Sequence, residues 1–248
     1  MNGEVERRLA EIADRHGLPL ATATSLRAIL TILADDDQAP TSVREPSRAV
    51  DVHIADALVA LEVDTVRAAS RVVDLGAGAG IPGLPLAAVL PHGAFTLVES
   101  QSRKCGFMER ARTLAGISNA RVVCARIEEW ASGAGGHDLA LARAVAPAPV
   151  VLEYAAPLLE LGGVLVDWRG RRNSEEERQA GLAGAELGLT LQEVRHVQPF
   201  PAATDHHLHI YRKIAPTPNR YPRRPGVARK RPLGGAGTGG TRLDRDRR

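Results

Sequence analysis

The chain has 248 residues, of which 44% are apolar, so it is long enough to bury the core of a full domain. No apolar run approaches the roughly 20 residues that a membrane-spanning helix needs, and the first residues carry mixed charges, so we expect a cytoplasmic protein with no membrane partner. The two cysteines form neither a CxxC pair nor a disulfide framework.

The net charge of +3 hides two oppositely charged parts of the chain. Residues 212–248 contain 12 basic and 2 acidic residues, whereas residues 1–211 contain 20 basic and 27 acidic ones. A basic segment neutralises phosphates and releases their counterions, which favours a polyanionic partner. A tail that only improves solubility is the alternative.

The N-terminal part is predicted to be helical. Apolar residues recur at helical spacing over residues 4–35, with a break at residues 17–19, and a further helix is expected at about 47–61. These segments predict a small helical cap over residues 1–65.

Between residues 66 and 215, short apolar strands alternate with helical segments. The predicted strands are 71–75, 95–98, 121–124, 139–142 and 164–168, and the predicted helices are 84–90, 102–115, 148–160 and 174–187. This alternation indicates an α/β fold with a mostly parallel sheet and right-handed crossovers. Segments 191–197 and 206–213 leave no room for a helix between them, so they predict a terminal antiparallel hairpin. Such a hairpin is common in class I methyltransferases and less so in dehydrogenases.

A glycine-rich turn follows the first predicted strand and is the strongest functional signal. Residues 74–83 read DLGAGAGIPG, and Glu99 ends the next strand. Glycines let the backbone approach a ligand, the following helix presents free N–H groups, and a carboxylate at Glu99 can accept hydrogen bonds from ribose hydroxyls. The glycines alone also satisfy the dinucleotide pattern GxGxxG. Asp74 favours the cationic, phosphate-free end of S-adenosylmethionine over a pyrophosphate. A turn that only packs strand on helix is the alternative.

Further runs follow in a fixed order, namely LVESQSRKCGFMERA (97–111), ARIEEW (125–130), LARAVAP (141–147), YPRRPG (221–226) and KRPL (230–233). Together with the glycine-rich turn they resemble the bacterial RsmG (GidB) family, from about Leu26 to Leu233. The resemblance implies a class I S-adenosylmethionine-dependent, Rossmann-like methyltransferase. It also implies that the enzyme methylates N7 of a guanine in the 530 loop of 16S rRNA, in the small ribosomal subunit, and we expect it to be a monomer.

The resemblance also implies a set of site residues. In this reading Glu99 lies at the ribose, Ile127 and Glu128 lie at the adenine, and Arg143 borders both cofactor and substrate. A guanidinium at Arg143 can hold a phosphate or the O6/N7 edge of guanine. The predicted cofactor-binding residues are Asp74, Gly76, Ala77, Gly78, Ile81, Glu99, Ile127, Glu128 and Arg143.

Alternatives remain for two of these positions. Arg143 could instead form a salt bridge with Glu99, Glu128 or Glu129. Glu128 and Glu129 could equally be a solvated helix start.

Guanine N7 carries an unprotonated lone pair, so no catalytic base is expected. Arg143 and Arg169 are the candidate catalytic residues, although relatives usually carry a lysine in place of Arg169. Trp168 is the candidate for stacking on the base, and a core tryptophan is its alternative. Residues 41–46 and His53 match a segment near the mouth of the site, which the acidic residues 35–37 would make more acidic than in relatives.

Residues 216–248 are expected to form a basic tail, of which 234–248 is of low complexity and predicted to be disordered. Deleting 216–248 is expected to weaken RNA binding and to leave cofactor binding unchanged. No metal site is expected, because only His207 and His209 share a strand face and no third ligand is in place. The predicted RNA-binding residues are Arg169, Arg220, Arg223, Arg224, Arg229, Lys230 and Arg231.

Two other functions fit the same sequence. A nicotinamide-dependent oxidoreductase would need a proton donor, such as a Tyr/Lys or His/Asp pair near the strand ends, and none is visible. A non-catalytic RNA-binding protein of ribosome assembly would keep the fold with a disabled site.

Overall fold

One mixed sheet organises the computed structural model, which describes residues 3–235. Its strand order is β3-β2-β1-β4-β5-β7-β6. Strands β1 to β5 pair in parallel, and β7 runs antiparallel to both β5 and β6. This confirms the α/β sheet with a terminal hairpin. The strands are β1 (Arg71–Leu75), β2 (Ala94–Glu99), β3 (Ala120–Cys124), β4 (His137–Arg143), β5 (Leu159–Arg169), β6 (Leu189–Val197) and β7 (His206–Lys213).

Helices cover both faces of the sheet. Strand β4 shows why, because Leu139 and Leu141 join the core on one side while Ala140 and Ala142 join the core on the other. The amino-acid sequence of a parallel strand that is buried on both faces is a nearly continuous apolar run. The helices that follow the strands are α6 (Gly83–Val89), α7 (Ser102–Leu114), α8 (Ala148–Ala155), α9 (Ser174–Leu187) and α10 (Val227–Lys230).

The N-terminal helices pack on one side of this sheet. Leu26 and Leu33 of α2 belong to the same core cluster as Leu84 of α6 and Phe107 of α7. The cap therefore shares its core with the sheet. Its helices are α1 (Gly3–His16), α2 (Thr22–Asp35), α3 (Pro46–Ala49), α4 (Asp56–Leu58) and α5 (Asp64–Arg67).

The helix expected at 47–61 is continuous in space but changes its winding. A π-helical segment, Val50–Ala55, joins α3 to α4, and a 3-10 turn, Val59–Glu62, follows. π-Helical turns inside helices are often found at functional sites, because they shift the side chains around them. This one places Val52 and Asp56 beside the carboxyl end of β4.

Some boundaries differ from the sequence prediction. The helix expected at 148–160 ends at Ala155, and β5 begins at Leu159, five residues before its predicted start. Pro157 has no N–H with which to continue the helix, so the chain turns there into the strand. No helix within residues 3–235 is long and apolar enough to cross a membrane. Disorder is predicted for residues 234–248; of these, Gly234 and Gly235 are described, with Gly234 buried, and the others lie outside the described residues.

Candidate functional site

Asp74 fastens the glycine-rich turn to the sheet. Its side chain is 1% exposed, and its Oδ2 accepts a 2.8 Å hydrogen bond from Gly83 N at the start of α6. A Cβ on Gly83 would lie 2.6 Å from that oxygen, so only glycine fits there. Between these anchors, Gly76 and Gly78 adopt φ values of 61° and 58°, which favour glycine. Burial raises the pKa of the Asp74 carboxyl to about 7.

Glu99 at the end of β2 is oriented by backbone N–H groups. Its Oε1 accepts hydrogen bonds from the amides of Ser100 (2.7 Å) and Gln101 (2.9 Å), and its Oε2 accepts one from Gly78 (3.2 Å). Lys104 Nζ lies 4.0 Å from Oε2. A carboxylate held in this way keeps lone pairs that can accept hydrogen bonds from a vicinal diol such as ribose.

A cleft of about 210 Å³ opens beside Glu99 at the carboxyl ends of the strands, where open α/β sheets bind ligands. Four of the predicted cofactor residues line it, namely Gly76, Glu99, Ile127 and Glu128. We call it the first cavity. Residues that line it and that were not predicted as site residues include Ser100, Gln101, Lys104, Ala125, Val145, Tyr154 and Gly226.

The other predicted cofactor residues do not line the first cavity. Asp74, Ala77 and Ile81 are buried in the turn, where they support its conformation. Gly78 contributes through its N–H on Glu99. Arg143 lines a second, neighbouring cavity.

The C-terminal strap, residues 216–235, closes one side of the first cavity. Gly226 N donates a 3.1 Å hydrogen bond to Glu128 Oε1, and Arg229 Nη2 donates one of 3.0 Å to Val145 O. Both Gly226 and Arg229 line the cavity. Sequence reasoning assigned Arg229 to RNA because charge was the only signal there; the pairing of the strap with Glu128 is a long-range contact.

Two further arginines of the strap form ion pairs within the protein. Arg223 binds both carboxylate oxygens of Glu153, a residue with 0% exposure, and its amide N–H reaches the same carboxylate at 3.1 Å. Arg220 pairs with Glu186 at 2.9 Å. These contacts hold the strap against α8 and α9. The predicted RNA-binding residues of the strap that are exposed are Arg220, Arg224, Arg229, Lys230 and Arg231.

Arg143, the last residue of β4, reaches across to the cap. Its Nη1 donates hydrogen bonds to Asp56 Oδ2 (2.5 Å) and to Val52 O (2.9 Å). The alternative given for Arg143, a salt bridge with Glu99, Glu128 or Glu129, names the wrong partners, because the ion pair is with Asp56. The sequence could not show that the helix carrying Asp56 lies over the end of β4.

Arg143 and Asp56 share a second cavity, of about 460 Å³, with Val52, Phe200 and His206. Ala144 lines both cavities. Among the described residues it is the one non-glycine with a positive φ, 55°. That conformation costs about 1–2 kcal/mol for a residue with a side chain. The strained residue thus stands where the two cavities meet.

Two other residues of the second cavity were singled out in the sequence. Trp168 is 7% exposed, and its indole N–H donates to Asp56 O at 2.9 Å, so it is a core tryptophan that supports the cavity wall. Arg169 contacts Asp167 Oδ2 at 2.6 Å, Glu176 Oε1 at 3.0 Å and Ala146 O at 3.0 Å. It therefore holds the loop that follows β4. Phe200, in the loop between β6 and β7, was not predicted, because a single aromatic in a loop carries no pattern.

The segment expected near the mouth packs beside Arg143. His53 Nε2 lies 3.0 Å from Val43 O and 3.1 Å from Thr41 Oγ1. Burial, with the Arg143 charge, lowers the pKa of His53. Asp36, from the acidic stretch, pairs with Arg110 at 2.7 Å, so its charge is balanced within the protein. Within residues 3–235, no group of three His, Cys, Asp or Glu side chains could hold a metal ion.

Comparison with known proteins identifies relatives of this arrangement. A family model described as "GidB: rRNA small subunit methyltransferase G" matches residues 28–202. The ribosomal RNA small subunit methyltransferase G of Rubrobacter xylanophilus is 41% identical over 78% of this chain and 77% of its own length. The protein of the same name from Chloroflexus aggregans is 34% identical over 94% of this chain and 100% of its own length.

Solved structures agree on the fold. A SAM-dependent methyltransferase from Aquifex aeolicus superposes with a TM-score of 0.53 at 13% identity, covering 75% of this chain and 97% of that one. A precorrin-6y C5,15-methyltransferase from Geobacter metallireducens gives 0.52 at 15% identity, covering 73% and 97%. At such identities the likeness extends to the class I methyltransferase fold only. By sequence, the chain belongs to the rRNA small subunit methyltransferase G (GidB) family.

Proposed function

We propose that this protein transfers the methyl group of S-adenosylmethionine to N7 of a guanine in the 530 loop of 16S rRNA. The observation that carries the proposal is the pair of adjoining cavities, one beside the backbone-oriented Glu99 and the other beside Arg143, which meet at Ala144. Family membership supports the same reaction, because relatives are named as methyltransferases of small-subunit ribosomal RNA.

The first cavity suits the adenosine part of the cofactor. Glu99 would accept hydrogen bonds from the ribose hydroxyls, and Glu128 would accept one from the adenine amino group with the oxygen that Gly226 N leaves open. Gly76 lines this cavity with backbone only, and a Cβ there would lie 3.4 Å from the Val145 side chain that lines it too. The residues present therefore fit the cofactor. The roles proposed for these residues do not require the phosphates of a dinucleotide cofactor.

S-adenosylmethionine supplies an electrophilic methyl group, which the N7 lone pair bonds while the carbon–sulfur electron pair returns to sulfur. No proton leaves N7, so the protein needs no base and its own residues act by alignment and exclusion of water. Arg143 would orient the base through a hydrogen bond. Arg169 would act as a positioning residue, because it holds Ala146 O beside the shared wall.

The exposed basic residues of the strap would contact the RNA backbone. Arg224, Lys230 and Arg231 are exposed. Phosphate contacts of this kind position an RNA without reading its sequence. Arg220, Arg223 and Arg229 would contribute to the same positive potential while they hold the strap. We further propose that the protein acts in the cytoplasm as a monomer.

The test uses small ribosomal subunits that lack the modification. Incubation with the protein and cofactor labelled in its methyl group, followed by mapping of the labelled nucleotide, should give one 7-methylguanosine in 16S rRNA. Label in a different base would correct the acceptor. No incorporation into subunits or free rRNA, from protein that binds the cofactor in calorimetry, would instead favour a non-catalytic role in ribosome assembly.

A further inference from the structure

The second cavity contains a buried carboxylate oxygen without a hydrogen-bond donor. Asp56 is 6% exposed; its Oδ2 accepts from Arg143, but its Oδ1 has no hydrogen-bond partner among the described residues. His206 Nε2 approaches Oδ1 only to 3.9 Å. Leaving a desolvated carboxylate oxygen unsatisfied is unfavourable. Because Asp56 lines the second cavity, a ligand that brings a donor into that cavity can satisfy this oxygen.

The neighbouring guanidinium of Arg143 indicates that the ligand also carries an acceptor. Arg143 offers donors and Asp56 an acceptor, side by side and joined by a 2.5 Å contact. Guanine presents the complement on adjacent atoms, an acceptor at O6 and a donor at N1–H. Adenine presents the reverse, a donor at its N6 amino group and an acceptor at N1. An Arg–Asp pair therefore distinguishes the two purines by hydrogen-bond polarity.

We propose that Asp56 and Arg143 together select the acceptor base, with Arg143 donating to O6 and Asp56 Oδ1 accepting from N1–H. This rests on the proposed function and assigns the source of its base specificity. In this arrangement N7, which is next to O6 on the base, lies toward Arg143, one residue before the wall shared with the cofactor cavity.

Three features support a base rather than a phosphate in this cavity. Asp56 balances the charge of Arg143 and would repel a phosphate. Phe200 and Val52 add apolar surface to the lining, which suits a planar base. Trp168 Nε1 holds the backbone carbonyl of Asp56, so the pair is fixed before the base arrives.

The first experiment measures methylation of small subunits reconstituted with guanosine, inosine or adenosine at the mapped position. Inosine keeps O6 and N1–H, so we expect it to be methylated within a few-fold of guanosine, and adenosine about 10- to 100-fold less. Asp56→Asn should reduce the guanosine-over-adenosine ratio by a similar factor, because the amide can donate to adenine N1. Asp51→Asn is the matched control, since Asp51 lies earlier in the same run of helix, does not line the second cavity and pairs with Arg8.

The second experiment does not depend on catalysis. NMR titration of the S-adenosylhomocysteine-loaded protein with guanosine and adenosine monophosphates should show a preference for the guanine nucleotide, which Asp56→Asn abolishes and Asp51→Asn keeps. The proposal fails if Asp56→Asn lowers the rate but keeps both the guanosine-over-adenosine methylation ratio and the binding preference for the guanine nucleotide. Asp56 would then only hold Arg143 in position. If wild-type protein methylates no subunit, the proposed function fails, and the nucleotide preference still decides the role of Asp56.

Discussion

Burial raises the pKa of Asp74 to about 7, although the hydrogen bond from Gly83 N works in the opposite direction. The unfolded chain ionises this group near its ordinary pKa of 3.8. Between these pH values the folded protein holds a proton that the unfolded chain has released. The stability that Asp74 contributes is thus fully present below about pH 4 and is lost as the pH rises through about 7.

Asp74→Asn should therefore stabilise the protein more at pH 8 than at pH 5. The amide oxygen still accepts from Gly83 N, and the variant never pays the cost of a buried charge. Thermal unfolding at both pH values measures the difference, and Asp14→Asn, on the exposed face of α1, serves as control. An equal gain in Tm at the two pH values would show that Asp74 stays ionised in the folded protein.

Arg143→Ala should lower methyl transfer by about 10²- to 10³-fold, the effect of removing one oriented donor from an active site. Cofactor affinity should stay within a few-fold, because Arg143 lines the second cavity. Rates and calorimetry on the same preparation separate the two effects. Arg195→Ala removes a guanidinium that pairs with Glu193 on the edge strand and should leave both values unchanged. A normal rate in Arg143→Ala would remove this residue from the site.

At the level of single residues, sequence reasoning found the groups whose neighbours are close in the chain. Glu99 could be placed because its backbone donors are the next two residues and the glycine turn. Asp56 could not, because nothing in its local pattern distinguishes it from an exposed helical acid. Its role depends on Arg143, 87 residues away.

Among the elements, the C-terminal strap differs most from its predicted role. The sequence presents it as an arm for RNA, whereas the structure shows its residues Gly226 and Arg229 lining the first cavity and Arg223 on the buried Glu153. The strands were predictable as short apolar runs, and the helices α7 and α9 because each fills the interval between two such runs. The end of α8 and the π-helical turn depend on tertiary packing, which periodicity does not report.

Arg229→Ala should weaken S-adenosylmethionine binding by about two- to tenfold, the effect of losing one hydrogen bond at the cavity wall. Lys230→Ala removes the neighbouring exposed charge and should leave cofactor affinity unchanged while it weakens RNA binding. Calorimetry with the cofactor and filter binding with rRNA measure the two properties. If both variants bind the cofactor equally well, the strap is only a scaffold for RNA contacts.

Over the whole molecule, basic charge and the lining of the first cavity meet in the C-terminal segment. Residues 236–248 carry a net charge of +2 out of the +10 of residues 212–248. Most of the basic character therefore lies in residues 212–235, which also contribute Gly226 and Arg229 to the first cavity. The fold class could be predicted because strand and helix alternate regularly, but this double use of one segment could not.

Two truncations test this double use. A chain that ends at residue 235 should bind cofactor normally, and the salt dependence of its RNA affinity should flatten by at most about four counterions, one for each of the four arginines removed. A chain that ends at residue 215 should lose RNA affinity and cofactor affinity together, because Glu153 and the first cavity lose their partners. The sequence alone predicts that the shorter chain keeps its cofactor affinity. Normal cofactor binding by that chain would support that simpler prediction.

The two cavities share Ala144 as their common lining residue. Apart from this residue their linings are separate, so a ligand in one cavity leaves the residues of the other uncovered. If cofactor and RNA each take one cavity, we expect neither to require the other in place before it binds, and initial rates measured with both concentrations varied would then fit a random order of addition.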